Sequence, residues 1–258
     1  MRNWNALAEE ITSWISNYAL ENNIRSLVVG VSGGVDSAVT STLSARTGIP
    51  TIVLNMPIHQ KKHQNDLSTK HISWLKDNFN NVEGRIVNLS KMYDSFVDAI
   101  SENEVSDLAL ANSRARLRMT ALYATAGSNG GMVVGTGNKV EDFGIGFYTK
   151  YGDGGVDISP IADLLKTEVY QIARELDIIE EIIQADPTDG LWEDGRSDED
   201  QLGASYEELE WAMKESKYPS NKDLSEREKE VLDIYRRLNE SNSHKMDPIP
   251  VFKFYPSD

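Results

Sequence analysis

Residues 27–37 read Leu27-Val28-Val29-Gly30-Val31-Ser32-Gly33-Gly34-Val35-Asp36-Ser37. Apolar, mostly β-branched residues run into two adjacent glycines, and a helix-like segment follows from Ser37 to Arg46. This order predicts a buried strand, a tight loop and a helix. We expect the loop to face an anion, because glycine lets the backbone approach a ligand and the helix offers unpaired N–H groups and the positive end of its dipole.

The polar side chains of this loop suit a phosphate ligand. Ser32 and Ser37 supply hydroxyl donors, and Asp36 places a carboxylate where a metal ion that bridges phosphate oxygens would lie. The loop is not a Walker A motif, because no Gly-Lys-Ser/Thr follows Gly30 at the required spacing. The alternative is a plain glycine turn in which Asp36 is the N-cap of the next helix.

The composition limits the class of protein. The chain has 258 residues, no cysteine and a formal net charge of −15, which predicts one large core and excludes disulfides and thiolate chemistry. The acidic charge disfavours nonspecific binding to nucleic acid. The amino terminus lacks a signal-peptide pattern and no apolar run approaches ~20 residues, so we expect a cytoplasmic protein with no membrane partner.

The rest of the chain predicts an α/β fold with an open, twisted parallel sheet flanked by helices, formed by a single domain over residues 1–258. Strands are expected at 27–30, 51–54 and 85–89 and from residue 132, and helices at 4–20, 61–79, 93–100, 107–127 and 164–176. Capping boxes at 205–208 and 225–228 predict two more helices. The proline-containing tail from His244 to Tyr255 is expected to lie back on the body.

A second glycine-containing loop follows the strand that begins at Met132. It reads Gly135-Thr136-Gly137-Asn138 and leads to Lys139 and Glu141. Loops after the carboxyl ends of neighbouring parallel strands line one crevice, so this loop and the first one can face one ligand. The next stretch, 144–157, is too rich in glycine for regular structure and is expected to be a functional loop. The acidic segment 186–203 is a candidate mobile flap.

With these motifs the chain resembles the ammonia-dependent NAD synthetases of the N-type ATP pyrophosphatase superfamily. The resemblance rests on Ser32–Ser37, Ala111–Met119, Gly135–Glu141, Phe147–Asp157, Pro160, Lys166, Pro187-Thr188, Asp198–Gly203 and His244-Lys245. It implies an adenine-nucleotide α-hydrolase-like, Rossmann-like sheet. It also implies a ligase that joins the carboxylate of deamido-NAD to AMP from ATP, releases pyrophosphate and lets ammonia displace AMP to give NAD. From its length of 258 residues we expect the chain to lack the glutaminase domain of the glutamine-using members.

The resemblance also assigns roles to individual residues. It implies that Asp36, Glu141 and Lys166 are catalytic and that Asp36 and Glu141 bind Mg²⁺. The implied ATP contacts are Gly30, Val31, Ser32, Gly33, Gly34, Val35, Asp36, Ser37, Thr136, Lys166 and Thr188. The implied deamido-NAD contacts are Arg116, Lys150, Asp157, His244 and Lys245. The family further implies a homodimer with the dinucleotide near the subunit interface.

The sequence departs from the family pattern at two places. Other members carry an Arg-x-Pro-Tyr-x-x-Gln-like stretch after the second strand, where this chain has Asn55-Met-Pro-Ile-His-Gln60. One additional residue separates Glu141 from Lys150, which makes Asp142 a rival for the metal position. Asp153 is the candidate for a general base toward ammonia. Two other functions stay open, another amide-forming ATP pyrophosphatase and a nucleotide-binding homologue without turnover.

Overall fold

The computed structural model describes residues 2–60, 62–101, 104–185 and 198–254. The helices in these ranges are α1 (Trp4–Glu21), α2 (Val35–Arg46), α3 (Lys62–Asn78), α4 (Ser90–Ile100), α5 (Asp107–Asn129), α6 (Lys166–Glu175), α7 (Glu180–Ile183), α8 (Asp198–Leu202), α9 (Tyr206–Lys217) and α10 (Glu226–Met246). The strands are β1 (Ser26–Gly30), β2 (Thr51–Asn55), β3 (Val82–Ile86) and β4 (Gly131–Val133), and a π-helix spans Lys139–Ile145. None of these helices combines the length and apolar character that a membrane span requires.

The four strands form one parallel sheet in the order β3-β2-β1-β4. This confirms the predicted open parallel sheet. Strand β1 is central, with Leu27 opposite Thr51 of β2 and Val28 opposite Val133 of β4. A strand with neighbours on both sides and helices on both faces has no solvated face, which explains its continuous apolar run. Because β1 and β4 are parallel neighbours, the loops that follow them leave the same edge of the sheet.

Helices cover both faces of the sheet. Leu27 and Val29 point to the face covered by α1, α2, α3, α6 and α7, whereas Val28 points to the face covered by α4 and α5. A third cluster joins the π-helix to α8, α9 and α10, with Leu209 at its centre. This helical cluster lies against the π-helix and α6, so it packs beside the carboxyl edge of the sheet where the glycine loops lie.

Two predicted elements are wrong in position. Strand β3 covers Val82–Ile86 and not 85–89, because it is an edge strand that bonds β2 on one side only and can carry the polar residues Glu83 and Arg85.

The carboxyl-terminal segment that was predicted to lie back on the body does not do so. Helix α10 runs on to Met246, and residues 249–254, among them Phe252, are exposed.

A buried histidine joins α3 to α2. The side chain of His71 is fully buried, with its Nε2 atom 3.0 Å from Ser41 Oγ and its ring stacked on Trp74 at a centroid distance of 5.5 Å. Burial lowers the pKa of His71 to about 4, because an imidazolium ion at this position would lose its hydration. The folded protein therefore keeps this ring neutral at any pH near neutrality.

This histidine predicts a pH-dependent loss of stability. Between pH 6.5 and about 4 the unfolded chain protonates this histidine and the folded chain does not, so the free energy of unfolding falls as the pH falls through that window. At pH 5 the histidine alone removes about 2 kcal/mol relative to pH 7. Urea unfolding of wild type and His71→Gln at both values measures this difference. The control is His59→Gln, whose side chain is about half exposed; an equal pH slope for wild type and H71Q would contradict the prediction.

Candidate active site

The first glycine loop is held in shape by its own serines. Ser32 N–H donates to Ser37 Oγ at 3.2 Å, the Ser37 hydroxyl donates to the Gly34 carbonyl at 2.9 Å, and Gly34 N–H donates to Ser32 Oγ at 3.2 Å. Gly33 has a φ of 95°, which a side chain would strain. The loop is therefore formed before any ligand arrives.

The first turn of α2 directs Asp36 toward the crevice. The N-cap of α2 is Gly34, which gives no side-chain hydrogen bond to the first N–H groups of the helix. The alternative that Asp36 is the N-cap is therefore wrong, because Asp36 lies inside the first helical turn. Uncapped N–H groups at a helix start provide the anion-binding arrangement that the motif predicts.

The second loop leads into the π-helix, which the sequence interpretation missed. Asn138 is its N-cap, and its Oδ1 atom accepts from the N–H groups of Val140 and Glu141, both at 3.1 Å. The Nδ2 atom of Asn138 donates to Asp36 Oδ1 at 3.3 Å. One buried amide therefore fixes the start of the π-helix and connects it to the first loop.

Lys166 joins the two loops through a pair of carboxylates. It is the first residue of α6, and its Nζ atom lies 2.5 Å from Asp36 Oδ2 and 3.0 Å from Glu141 Oε1. The side chain of Lys166 is 4% exposed, and those of the two acids are 16% and 17% exposed. The three residues that the sequence predicted as catalytic thus form one contiguous group.

The charges of this group depend on one another. Burial alone would lower the pKa of Lys166, but Asp36 and Glu141 outweigh it and raise that pKa above its usual range. Burial also opposes ionisation of Glu141, yet the Lys166 ammonium and the Tyr206 hydroxyl lower the pKa of Glu141. The site therefore holds a permanent ammonium beside ionised carboxylate at neutral pH.

A cavity of about 570 Å³ opens beside this group. Its lining includes Gly30, Ser32, Gly34, Asp36, Ser37, Thr136, Glu141, Lys166 and Lys245. Met119, Leu122 and Val133 form an apolar part of the wall. An apolar wall opposite a glycine loop and charged side chains suits a ligand with a flat ring at one end and phosphates at the other.

Arg118 adds a half-buried cation to the cavity wall. Its Nε atom donates to the Met56 carbonyl at 3.0 Å, and burial and the nearby Arg114 guanidinium lower its pKa to about 10. Arg118 therefore stays charged at neutral pH. The side chain of Arg118 extends from α5 into the wall of the cavity.

Four of the implied dinucleotide contacts form a basic cluster on the flank of the cavity. Arg116 Nε donates to the Lys150 carbonyl at 3.3 Å, and Lys150 Nζ donates to the His244 carbonyl at 2.8 Å. Lys245 Nζ donates to the carbonyls of Gly146 and Tyr148 at 2.8 and 3.0 Å. The basic cluster, defined as Arg116, Lys150, His244 and Lys245, is a local concentration of positive charge on an acidic molecule.

The fifth implied contact lies apart from this cluster. The carboxylate of Asp157 accepts from the Val133 N–H at 2.7 Å and from the Tyr123 hydroxyl at 2.9 Å. These bonds attach the chain after the glycine-rich stretch to strand β4 and α5. Thr136 lines the cavity, whereas Thr188 lies outside the described residues, as does most of the predicted flap.

Two further acidic residues, Asp142 and Asp153, line the same cavity. Burial raises the pKa of Asp142 well above its usual range, and the charges of Glu141 and Asp153 raise it further. Gly137 has no room for a side chain, since a Cβ there would lie 2.0 Å from Asp142 Oδ2. Asp153 Oδ1 accepts from the Thr149 N–H at 3.1 Å, and burial raises its pKa. Glu141, rather than Asp142, contacts Lys166 in this structure.

Sequence reasoning missed the residues that hold the charged group in place. Tyr206 donates its hydroxyl to Glu141 Oε1 at 2.6 Å, and its ring centroid lies 4.8 Å from Lys166 Nζ. Asn138 links both loops, as described above. The signal for Asn138 is its place directly before a helix, where an Asn side chain caps N–H groups. No local pattern marks Tyr206, which is 65 residues from Glu141 in sequence.

The double role of Asn138 gives a testable prediction. Asn138→Ala removes the cap of the π-helix and the amide beside Asp36, so we expect a loss of about 1 kcal/mol in unfolding free energy and a fall of about 10-fold in kcat. The matched control is Asn239→Ala, because Asn239 Nδ2 donates to the Gly144 carbonyl at the other end of the same π-helix. Chemical unfolding and steady-state rates distinguish the two. Equal rate losses in both variants would show that Asn138 acts only through stability.

Comparison with known proteins gives the family. A family model described as NAD synthase matches residues 7–248. The chain is 36% identical over 248 residues to an NH(3)-dependent NAD(+) synthetase of Carboxydothermus hydrogenoformans, covering 94% of this chain and 95% of the relative. The corresponding relative from Methanosarcina acetivorans is 36% identical over 251 residues, with 95% and 96% covered.

Solved structures agree with these relatives. The structure of NMN synthetase from Francisella tularensis matches with a TM-score of 0.86 at 29% identity and covers 98% of this chain and 100% of that one. The NH3-dependent NAD synthetase from Campylobacter jejuni matches with a TM-score of 0.79 at 25% identity and the same coverage. The predicted family, α/β fold and ligase class are confirmed. The chain belongs to the NAD synthase family.

Proposed function

We propose that this chain amidates deamido-NAD with ammonia and ATP, giving NAD, AMP and pyrophosphate. The observation that carries the proposal is the contact of Lys166 with Asp36 and Glu141 at the mouth of a glycine-loop cavity, in a chain of this family. A carboxylate is a poor acyl donor until its oxygen carries a good leaving group. Adenylation supplies that leaving group, so the site must bring a carboxylate and a triphosphate together.

In the first step an oxygen of the nicotinate carboxylate attacks the α-phosphorus of ATP. The bond between the α- and β-phosphates breaks, and pyrophosphate leaves with the electron pair. Negative charge grows on the phosphate oxygens during this step. We expect the N–H groups at the start of α2, the Ser32 hydroxyl and the Lys166 ammonium to stabilise this charge, while Ser37 holds the loop through its bond to the Gly34 carbonyl.

In the second step ammonia attacks the acyl carbon of the adenylate. AMP leaves with the electron pair of the broken C–O bond, and the nitrogen loses a proton to become the amide. No side chain of the protein forms a covalent bond in this sequence. We propose Asp153 as the candidate to accept the proton, because its carboxylate lines the cavity and its pKa is raised by burial.

Asp36 and Glu141 fit a Mg²⁺ ion. Their oxygens converge, since both lie within hydrogen-bond distance of one ammonium nitrogen. In the described part of the chain no group of three or more acidic or histidine side chains forms a metal site, but Mg²⁺ commonly uses one or two carboxylates together with phosphate oxygens. When bound, the ion would supply charge neutralisation of the phosphates and of the departing pyrophosphate.

The remaining predictions extend the proposal to the whole molecule. We infer that residues 1–258 act as one domain, because β1, α6 and the α10 residue Lys245 all contribute to one cavity. The homodimer with the dinucleotide near the subunit interface stays a prediction from the family resemblance. Sedimentation or light scattering tests the dimer. The cytoplasmic location stays a prediction.

A second candidate function differs from the first in the size of the carboxylic acid that is amidated. The solved structure from F. tularensis carries the name NMN synthetase, and the acid that corresponds to NMN is nicotinate mononucleotide, which lacks the AMP half of deamido-NAD. The basic cluster supports the dinucleotide, because Arg116 and His244 lie outside the cavity where a second nucleotide could reach them. Rates measured with both acids decide between the two substrates.

The proposed reaction predicts which products form and which substitution lowers the rate most. Purified protein with ATP, Mg²⁺, ammonium and deamido-NAD is expected to form NAD and AMP in equal amounts. Asp36→Asn should lower kcat by at least about 100-fold. The variant loses a carboxylate ligand for Mg²⁺, and the Lys166 ammonium loses one of its two negatively charged partners. Chromatography of the nucleotides measures both. Asp163→Asn is the control, since that side chain is 95% exposed. Formation of ADP in place of AMP would overturn the adenylate chemistry.

Substitution of Lys245 is expected to weaken the binding of deamido-NAD and to leave the binding of ATP unchanged. Lys245→Ala should raise the KM for deamido-NAD about 10-fold, as loss of one charge-assisted hydrogen bond would, while the KM for ATP stays near the wild-type value. Initial-rate kinetics with each substrate varied in turn measure the two constants. Lys229→Ala is the control on the same helix, because the Lys229 side chain is more than half exposed and its ammonium pairs with the exposed Glu226 at 2.7 Å. An equal rise in both KM values would contradict the assigned role.

A further inference from the structure

Tyr206 is a buried residue that the chemistry above does not use. It is the first residue of α9, and its N-cap Ser205 forms a capping box with Glu208. The Tyr206 side chain is buried in the cluster that joins α9 and α10 to the π-helix. Its hydroxyl nevertheless leaves this apolar cluster and reaches the charged group of the site.

The tyrosine contacts two members of that group at once. Its hydroxyl donates to Glu141 Oε1 at 2.6 Å, the same oxygen that accepts the Lys166 ammonium at 3.0 Å. Its ring centroid lies 4.8 Å from Lys166 Nζ, within the range of a cation–π contact. A short hydrogen bond to a carboxylate restricts that carboxylate to one orientation. The ring of the same tyrosine restricts the position of the ammonium.

The position of Tyr206 is itself fixed by neighbouring helices. The Tyr206 N–H donates to Glu199 Oε1 of α8 at 2.9 Å. Arg227 of α10 donates to both carboxylate oxygens of Glu208, at 2.8 and 2.7 Å, and to the Gly203 carbonyl at 3.1 Å. The turn before α9 is thus attached to α8 and α10, so the phenol has little freedom to leave Glu141.

We propose that Tyr206 is a positioning residue for the reaction, which fixes the Glu141 carboxylate through its hydroxyl and the Lys166 ammonium through its ring. This inference rests on the proposed function, because it assumes that Glu141 and Lys166 act on ATP and Mg²⁺. Partners that orient a metal-binding carboxylate typically change metal affinity or activity by about 10- to 100-fold when removed. Tyr206 therefore controls how well the site accepts a metal–nucleotide complex.

The chain offers a matched control for this role. Tyr235 of α10 is buried in the same cluster and packs near Gly144 of the π-helix, but it makes no contact with Glu141 or Lys166 among the described interactions. Tyr206→Phe keeps the ring and removes the hydroxyl, and Tyr206→Leu removes both. Tyr235→Phe removes a hydroxyl away from the site, from a residue that is as buried as Tyr206.

The experiment separates positioning from a structural role. Calorimetry measures ATP binding as a function of Mg²⁺ without deamido-NAD, and initial rates give kcat and both KM values. For Y206F we expect about 10-fold more Mg²⁺ for half-maximal ATP binding and about 10-fold lower kcat, an unchanged KM for deamido-NAD and a melting temperature within a few degrees of wild type. Y206L should show a larger Mg²⁺ requirement, and Y235F should match wild type in every value.

Two results would overturn the inference: a wild-type Mg²⁺ requirement in Y206F, whatever its rate, or an equal shift of that requirement in Y235F. Failure of the proposed function is a separate result. If wild-type protein forms no NAD, the calorimetric comparison of Y206F with wild type still measures the effect of the hydroxyl on Mg²⁺-dependent ATP binding.

Discussion

One buried ammonium connects three parts of the chain that are distant in sequence. Lys166 at the start of α6 contacts Asp36 at the start of α2 and Glu141 in the π-helix. Two buried carboxylates side by side repel each other and lose hydration, and the lysine offsets both costs only if its geometry is good. The arrangement of α2, α6 and the π-helix around the cavity therefore depends on this contact.

The same contact explains how an acidic protein can hold phosphates. With a net charge of −15 the molecule as a whole repels a triphosphate. Lys166, Arg118 and Lys245 bring positive charge to the cavity wall, and the glycine loop adds N–H groups without adding charge. Attraction for the ligand is thus confined to one cleft.

Much of this site could be predicted from short stretches of sequence. Eleven consecutive residues predict the first loop, and the second loop repeats the same order of a strand followed by glycines. If the two strands are parallel neighbours, both loops must lie at the same edge of the sheet. Strand β1 has β2 on one side and β4 on the other, which makes its carboxyl end the switch point where such sheets bind ligands. Lys166 came from the family resemblance, and the structure shows it beside Asp36 and Glu141.

What could not be predicted depends on contacts between distant residues. Periodicity shows that Tyr206 begins a helix, but it cannot show that its hydroxyl meets a carboxylate in another element. The apolar residues of the tail, such as Phe252, suggested burial, yet Pro248 and Pro250 end α10 and the segment extends into solvent. The hydrogen bonds of the Asp157 carboxylate to Val133 and Tyr123 likewise join residues that are distant in sequence, and its contact with the dinucleotide stays a prediction.

The π-helix fixes the spacing between the two halves of the site. Its first turn presents Glu141, and its far end is held by Asn239 and Asn242 of α10, which donate to the carbonyls of Gly144 and Ile145. Each residue of an α-helix rotates the chain by about 100°. The turn of a π-helix is wider, so it holds one more residue than an α-helical turn without rotating the segments at its two ends. Length in this segment is therefore constrained as strictly as residue type. Deleting or inserting one residue within 139–145 would therefore rotate Glu141 away from Lys166 and Tyr206.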